Sequence, residues 1–145
     1  MELRALELNL NKQDALFDSP ECQQLLEMYE DFYPKVGFHF PWVAYLVIRE
    51  NQVVGSCSFV GKPENGKVEI AYWTFKNYEG QGVASFACKE MVSIAKKENP
   101  KIIVTAKTAT QYNASTKILE KNGFVYTEVV HDEEIGHAWL WILKT

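Results

Sequence analysis

The stretch EIAYWTFKNYEGQGVAS, residues 69–85, joins a strand-like run to a helix-like run through a turn with two glycines. The apolar run stops at Phe75, Gly80 and Gly82 follow, and apolar residues recur at helical spacing from Ala84 onward. Glycine lets a ligand approach the backbone closely, and a helix N-terminus presents unpaired N–H groups and a positive dipole end. The stretch therefore predicts a strand–turn–helix unit suited to an anion such as a phosphate.

Two common nucleotide-binding loops do not fit this turn. A dinucleotide-binding turn requires a third glycine, where this chain has Ser85, and an acidic residue about 20 positions later. The segment KIIVT at residues 101–105 contains no acid. A nucleoside-triphosphate loop of the Walker type requires Gly-Lys-Ser/Thr, which the turn lacks. The phosphate predicted here therefore belongs to another kind of ligand.

Composition indicates one globular domain without a nucleic-acid or membrane surface. The chain has 145 residues, of which 47% are hydrophobic and 23% are charged, and these values are typical of a single folded domain with one core. The formal net charge is -4, and the basic footprint that nucleic acids or anionic lipids require is absent. The acidic balance mildly favours a cationic partner.

Cysteine usage and the N-terminal residues predict a cytoplasmic protein without a metal. The number of cysteines is odd, and they lack metal-ligand spacing: Cys22, Cys57 and Cys88. This pattern favours buried thiols in a reducing compartment. The histidines also lack ligand spacing. Charges interrupt every apolar run of the N-terminal segment, so it does not resemble a signal peptide. No apolar run approaches the roughly 18 residues of a membrane span.

Apolar periodicity and turn signals predict an α/β domain with one mixed sheet. Strands are predicted at residues 1–9, 42–50, 52–61, 67–75, 101–108, 124–130 and 137–144, and helical segments at 12–31, 84–98 and 113–123. Residues 32–42 hold two prolines and five aromatic residues and are predicted to be irregular. The helix between strands 67–75 and 101–108 forms a crossover connection, so these two strands are predicted to be parallel.

Residues 69–85 resemble a known motif. They resemble the acetyl-CoA-binding motif of the GNAT N-acetyltransferase family, whose core is Q/R-x-x-G-x-G/A and is read here from Glu79 to Ala84. The strand EIAYW and the later segment NASTKILEKNGF, residues 113–124, resemble the branch that includes ribosomal-protein N-terminal acetyltransferases. One departure from the motif is Glu79, since the family usually has Arg or Gln there and a carboxylate opposes a nearby pyrophosphate.

The resemblance implies a single acyl-CoA N-acyltransferase domain over residues 1–145. Its fold would be a mixed, mostly antiparallel sheet with helices on both faces and a parallel pair, 67–75 and 101–108, that splays apart. Its activity would be direct transfer of acetyl from the co-substrate acetyl-CoA to an amine of a small molecule, a peptide or a protein N-terminus. The alternative is a sensor or interaction module that binds acyl-CoA without turnover.

The resemblance also implies which residues bind CoA. The pantetheine arm would pair with the backbone of Trp73, Thr74 and Phe75. The pyrophosphate would accept N–H groups from the turn and the first helical residues: Gln81, Gly82, Val83, Ala84 and Ser85. Asn113 maps to the family's asparagine that contacts pantetheine. Its alternative role is the N-cap of the helix from Ala114, and the two roles are compatible.

Candidate catalytic residues follow from the same comparison. Glu69 matches a glutamate that acts as the base in some members, and a carboxylate in an apolar strand is costly unless it is used or paired. Its alternative is a partner for a lysine on an adjacent strand. The family's tyrosine acid would fall at Leu119, so a proton donor is sought in Ser115, which otherwise is a first-turn helix residue, and in Tyr112.

The acceptor side is predicted from the irregular aromatic segment. Loops on a rigid scaffold commonly carry specificity, and an aromatic-lined cleft suits an acceptor with an apolar part. His39, Phe40 and Trp42 are therefore candidate acceptor-binding residues, with hydrophobic packing over the sheet edge as the alternative. The two final strands, 124–130 and 137–144, could form the edge of a homodimer.

Overall fold

The computed structural model describes residues 1–144, which form a seven-stranded sheet with the order β1-β2-β3-β4-β5-β7-β6. The strands are β1 Glu2–Ala5, β2 Ala44–Arg49, β3 Gln52–Phe59, β4 Lys67–Thr74, β5 Ile103–Thr108, β6 Phe124–Asp132 and β7 Gly136–Leu143, and the helices are α1 Pro20–Val36, α2 Val83–Glu98 and α3 Ala114–Lys121. Short 3-10 turns lie at Ala15–Phe17 and Lys76–Tyr78. Only the pairing of β4 with β5 is parallel among these strands of residues 1–144. The predicted mixed sheet is confirmed.

Helices cover both faces of the sheet, as the resemblance implied. Successive strand residues point to opposite faces, so Cys57 and Ser56 of β3 lie on different sides. Cys57 is close enough to Cys88 of α2 to affect its titration, whereas the Tyr29 hydroxyl of α1 approaches Ser56. Tyr72 pairs with Cys57 across β3 and β4 and reaches α3. The α2 face therefore carries α2 and α3, and the α1 face carries α1.

The two faces differ in how far the helices cover β4, β5 and β7. On the α2 face of these strands most side chains are buried, including Val68, Ile70, Val104, Ala106 and Trp141, while Tyr72 and Trp139 are half-buried. On the α1 face Thr105 and Ala138 are buried, but most other positions are exposed or half-buried: Glu69, Ala71, Trp73, Ile103, Lys107 and Leu140. The α1 face is therefore accessible to a ligand over the same strands that the α2 face closes.

Helix α1 extends further than its sequence predicted. Ser19 caps it, since the Ser19 Oγ accepts the Cys22 N–H at 3.1 Å, so the helix begins at Pro20. The predicted helical segment 12–31 is therefore wrong before Pro20, where the structure has only the 3-10 turn Ala15–Phe17. The prediction of an irregular segment is wrong for residues 32–36, which are helical despite Pro34. The buried Tyr33 hydroxyl donates to Leu6 O at 2.7 Å and accepts the Ala44 N–H at 3.1 Å. These tertiary contacts fix the last turn against the helix-breaking tendency of proline.

The cysteines behave as the sequence predicted. Cys22, Cys57 and Cys88 are free thiols and are all at most 1% exposed. Cys88 lies on the buried side of α2, which confirms the helical pattern read after the glycines. Within residues 1–144, no helix combines the length and the apolar character needed to cross a membrane.

Candidate active site

The parallel strands β4 and β5 separate partway along their length. Their pairing runs from Lys67 with Ile103 to Ile70 with Ala106. Beyond that point β4 continues to Thr74 and β5 to Thr108 without pairing to one another. The predicted splayed pair is therefore present, and it leaves an opening beside the second half of β4.

Backbone groups of β4 line this opening in an alternating pattern. Glu69 O accepts the Val60 N–H and the Phe75 N–H donates to Val54 O, so the odd-numbered residues of this stretch turn their backbone groups toward β3. The backbone groups of Tyr72 and Thr74 consequently point to the opening. Of the three residues predicted to pair with pantetheine, Thr74 turns its backbone groups to the opening, whereas those of Trp73 and Phe75 face β3.

The glycine turn ends in an uncapped helix N-terminus. Gly80 and Gly82 have φ of +75° and +82°, a left-handed conformation in which a Cβ is strained. Gly82 is the N-cap of α2 and has no capping side chain, and its carbonyl accepts the Phe86 N–H at 3.0 Å. The N–H groups of residues 83–85 therefore precede the first intrahelical bond and point out of the helix end. Their arrangement suits an anion.

An arginine that sequence reasoning missed adjoins the turn. Arg49 at the end of β2 donates from Nη2 to Gln81 Oε1 at 2.8 Å, and its guanidinium carbon lies 5.4 Å from the centre of the Tyr78 ring. Gln81 Nε2 donates in turn to Asn77 O at 3.2 Å. Glu79 is exposed. Arg49 thus brings a positive charge to a turn whose own motif residue is a glutamate, a placement that no local sequence signal could indicate.

A tyrosine hydroxyl from β4 meets the candidate donor on α3. The Tyr72 hydroxyl donates to Ser115 O at 3.2 Å and lies 3.3 Å from Ser115 Oγ. Burial raises the pKa of Tyr72 to about 12, so its hydroxyl stays protonated at neutral pH. Leu119, where the family's tyrosine would stand, is buried at 1% exposure. The sequence signal for Tyr72 is its alternate position in the EIAYW strand, which puts its side chain on the same face as those of Val68 and Ile70.

Asn113 acts as the N-cap of α3. Its Oδ1 accepts the Ser115 N–H at 2.9 Å and the Thr116 N–H at 3.2 Å, and its own N–H donates to Thr116 Oγ1 at 2.9 Å. Asn113 therefore has the capping role, and its Nδ2 group takes no part in these capping bonds. Tyr112 is 72% exposed and packs edge-on against Trp139 at 4.9 Å.

Glu69 lies on the α1 face in a group of three charges. Its Oε1 is 3.2 Å from Lys107 Nζ, which is also 3.4 Å from Asp132 Oδ2. Partial burial by itself lowers the pKa of Lys107, but Glu69 and Asp132 outweigh it and the net shift is upward. N–H donation from Glu134 in the β6–β7 turn lowers the pKa of Asp132, with a further contribution from Lys107. The lysine partner considered from the sequence is therefore present.

The aromatic acceptor candidates form a tight turn before β2. The Trp42 N–H donates to His39 O at 2.7 Å, and Phe40 is 69% exposed. The Trp42 ring packs edge-on against Phe59 of β3 at 4.9 Å, which is the packing alternative. Acceptor binding by these residues stays a prediction. Within residues 1–144, no three His, Cys, Asp or Glu side chains are grouped so that they could hold a metal ion.

Comparison with known proteins agrees with this geometry. Residues 8–125 match the family model described as "Acetyltransferase (GNAT) domain". The chain belongs to the GNAT acetyltransferase family. The chain is also 30% identical over 105 residues to the uncharacterized N-acetyltransferase YjdG of Bacillus subtilis, a match that spans 71% of this chain and 60% of that protein.

Solved structures of GNAT proteins share the fold. A ribosomal-protein-alanine N-acetyltransferase from Brucella melitensis aligns with a TM-score of 0.65 at 17% identity over 98% of both chains. An IAA acetyltransferase from Bacillus cereus aligns with a TM-score of 0.70 at 11% identity over 99% of both chains. At these identities the likeness establishes the architecture.

Proposed function

We propose that this chain transfers acetyl directly from acetyl-CoA to an amine. The observation that carries the proposal is the opening between β4 and β5, which leads from the glycine turn to the candidate base on a single strand. Strand β4 carries Glu69, then the unpaired backbone edge at Tyr72 and Thr74, and it is followed by the turn at Gly80 and Gly82. One extended ligand could therefore contact all three parts of the site.

Acetyl-CoA would bind with its pyrophosphate on the N–H groups of residues 81–85 and its pantetheine arm along β4. The pantetheine amides would pair with the backbone of Thr74 and Tyr72, where β5 has moved away. The Nδ2 group of Asn113 would reach the arm from the opposite side. Arg49 would supply a positive charge at the turn, where Glu79 stands in place of the family's Arg or Gln. The thioester would then lie near the point where β4 and β5 diverge.

The transfer requires a base and a proton donor. An acceptor amine is protonated at neutral pH, with a free pKa of about 8 for an α-amine and about 10.4 for a lysine. Glu69 would take that proton through a water molecule, and the amine nitrogen would form a bond to the acetyl carbon. As the carbon–sulfur bond breaks, the nitrogen loses its second proton. Ser115 would donate a proton to the CoA thiolate and recover one from the nitrogen through water, with Tyr112 as a more exposed second candidate.

The acceptor would approach from the α1 face, because the α2 face is closed by helices over the same strands. This surface is an open sheet face around Ala71 and Trp73, so it can admit an amine presented by a peptide or protein N-terminus as well as a small amine. The net charge of -4 favours a cationic acceptor. His39 and Phe40 would serve acceptors long enough to reach the turn before β2. The Trp42 ring packs on Phe59, which shares the α2 face with Ile70, so Trp42 would support this turn from behind.

The remaining expectations form part of the same proposal. Residues 1–145 would act as one acyltransferase domain in the cytoplasm, without a metal, a nucleic acid or a membrane as partner. A homodimer would use β6, an edge strand whose Val125 and Val129 are 49% and 52% exposed. Exposed apolar residues on an unpaired edge favour contact with another chain.

Release of free CoA tests the proposal. Purified protein is incubated with acetyl-CoA and a panel of α-amino peptides, polyamines and lysine derivatives, and free thiol is measured over time. We expect turnover with at least one amine, and a rate lower by about 100-fold or more for E69Q, because a general base contributes on this scale. The control is E64Q, which makes the same change at an exposed site. Tight acetyl-CoA binding without CoA release across the panel would instead support a sensor.

A further inference from the structure

Three side chains of β4 face the accessible side of the sheet around the point where β4 and β5 part. Glu69, Ala71 and Trp73 alternate along the strand, so all three lie on the α1 face. Ala71 is exposed, whereas Glu69 and Trp73 are half-buried. Ile70 forms the last pair with β5, so Ala71 and Trp73 belong to the free half of the strand. The short side chain of Ala71 leaves a notch between Glu69 and Trp73, which we call the β4 notch.

The dimensions of the β4 notch suit the amino end of a small acceptor. The Cα atoms of Glu69 and Trp73 are about 13 Å apart in an extended strand, and only the methyl group of Ala71 stands between the two side chains on this face. On the β3 side α1 bounds the notch, because the Tyr29 hydroxyl approaches Ser56 and Ser56 pairs with Trp73. On the β5 side the notch is open, since the strands have parted.

The Trp73 ring is supported from the side away from Ala71. Phe75 follows on the same face of the sheet and packs edge-on against Trp73, with ring centres 5.1 Å apart. Phe75 is 1% exposed, so it provides a fixed support for the indole. The main chain of Trp73 is fixed as well, because it pairs with Ser56 of β3. The β4 notch therefore has a preformed aromatic surface at one end.

The other end of the β4 notch already holds a cation. Lys107 Nζ lies 3.2 Å from Glu69 Oε1 and 3.4 Å from Asp132 Oδ2. An ammonium group that enters the notch would meet the positive charge of Lys107 at this end. At the opposite end it would meet the face of an indole ring, which attracts cations. The charge pattern therefore directs an incoming ammonium group toward Trp73.

We infer that Trp73 is a specificity-determining residue, whose indole ring binds the ammonium group of a primary amine acceptor in the β4 notch. The inference rests on the function proposed above, in which the acceptor approaches from the α1 face. It also changes the role of Trp73 in the site. The resemblance implied that Trp73 binds pantetheine through its backbone, but its backbone groups face β3 and its side chain lies on the α1 face.

Loss of the indole should weaken amine binding and leave acetyl-CoA binding unchanged. In W73L the KM for the amine that the panel turns over fastest should rise by about fivefold, because a cation–π contact is lost. W73F keeps an aromatic ring and should retain most of the affinity. A71V fills the notch with a side chain that strands favour, and it should raise the same KM. W139L is the matched control, since Trp139 is also half-buried but lies on the α2 face.

Fluorine NMR of protein labelled with fluorotryptophan tests the same contact without turnover. The chain has four tryptophans, and the spectrum of W73F identifies the Trp73 signal. Titration with each amine of the panel should shift this signal and leave the Trp139 signal in place, for at least one amine. The matching alcohol, which carries a hydroxyl in place of the amino group, should shift it less at the same concentration because it carries no charge.

The two measurements separate this inference from the proposed function. If an amine shifts the Trp73 signal but no amine is acetylated, amine binding at Trp73 is supported and the transfer reaction fails. If an amine is acetylated with the same KM in W73L and wild type, the role of Trp73 is overturned while the transfer reaction stands. Equal shifts from an amine and its matching alcohol, or no shift with any amine, also overturn it. The titration uses the folded wild-type chain, so it decides the matter even if W73L folds poorly.

Discussion

At the scale of single residues, a few polar contacts join separate segments around the opening. The Tyr72 hydroxyl links β4 to Ser115 at the start of α3, and Lys107 links β4 to the β6–β7 turn. Each contact orients a group that the proposed reaction needs, the donor on one face and the base on the other. The two faces of β4 therefore carry different chemistry because adjacent strand residues point in opposite directions.

Removal of the Tyr72 hydroxyl should slow turnover without weakening acetyl-CoA binding. In Y72F the Ser115 hydroxyl loses a neighbour that restrains it, so we expect kcat to fall by about tenfold with KM for acetyl-CoA unchanged. Y126F is the control, since Tyr126 is on β6 and is 37% exposed. Steady-state kinetics measure both constants. A rise in KM at constant kcat would show that Tyr72 shapes the CoA cleft and does not position the donor.

The glycine turn has one negative and one positive side chain beside it, Glu79 and Arg49, and each charge can be removed separately. E79Q removes a negative charge near the proposed pyrophosphate site and should lower KM for acetyl-CoA by about threefold, a modest change because Glu79 is exposed and screened. R49Q removes the cation that contacts Gln81 and should raise the same KM. The rate constant kcat should stay the same in both variants. Equal KM values in wild type and R49Q would show that Arg49 does not contribute to CoA binding.

At the scale of elements, close packing of β3, β4 and α2 holds the turn in place. A Cβ placed on Gly55 of β3 would lie 2.5 Å from Trp73 O and 3.2 Å from Val83 Cγ1. Trp73 belongs to β4, and Val83 is the first residue of α2. The absence of a side chain at Gly55 therefore lets the strand and the helix end approach one another at the base of the turn.

The substitution G55A should destabilise the fold more than S56A, which places an alanine at the next position. G55A forces backbone and helix apart, which we expect to cost about 2 kcal/mol of unfolding free energy or more. In S56A, by contrast, a buried hydroxyl without a well-formed hydrogen bond is lost, so the change should be within about 0.5 kcal/mol. Urea denaturation followed by circular dichroism compares the two. Equal losses would contradict the close approach seen at Gly55.

At the scale of the whole molecule, the helices divide the sheet into a closed face and a partly open one. The α2 face is buried over β4, β5 and β7, whereas α1 leaves the other face accessible there. In the proposed reaction, this division would place CoA and the acceptor on opposite sides of the same opening. The helices also enclose all three thiols. Cys22 lies on the buried side of α1, and Cys57 and Cys88 lie between β3 and α2.

The enclosed thiols should not react while the protein is folded. Burial raises the pKa of Cys88 to about 12 and raises the pKa of Cys22 and Cys57 as well. These thiols therefore stay protonated at pH 8, and the thiolate is the reactive form. Titration with an aromatic disulfide reagent should detect no fast-reacting thiol in the native protein and all three cysteines in denaturant. Fast native labelling of any one of them would contradict the burial.

The sequence by itself determined the order of the elements, the parallel pair, the glycine turn and the family. These follow from local signals, since apolar periodicity, glycine and capping residues act over a few positions. Local signals failed at residues 32–36, where contacts of Tyr33 with Leu6 and Ala44 outweigh the presence of Pro34.

Only the tertiary structure decided which groups share the site. Tyr72 and Ser115 are 43 positions apart and Arg49 and Gln81 are 32 apart, and Lys107 meets Glu69 from a strand that enters after a complete helix. Nothing in the spacing of these residues encodes their contacts. The contacts arise from the sheet register and the packing of helices on its faces, which depend on the whole chain folding at once.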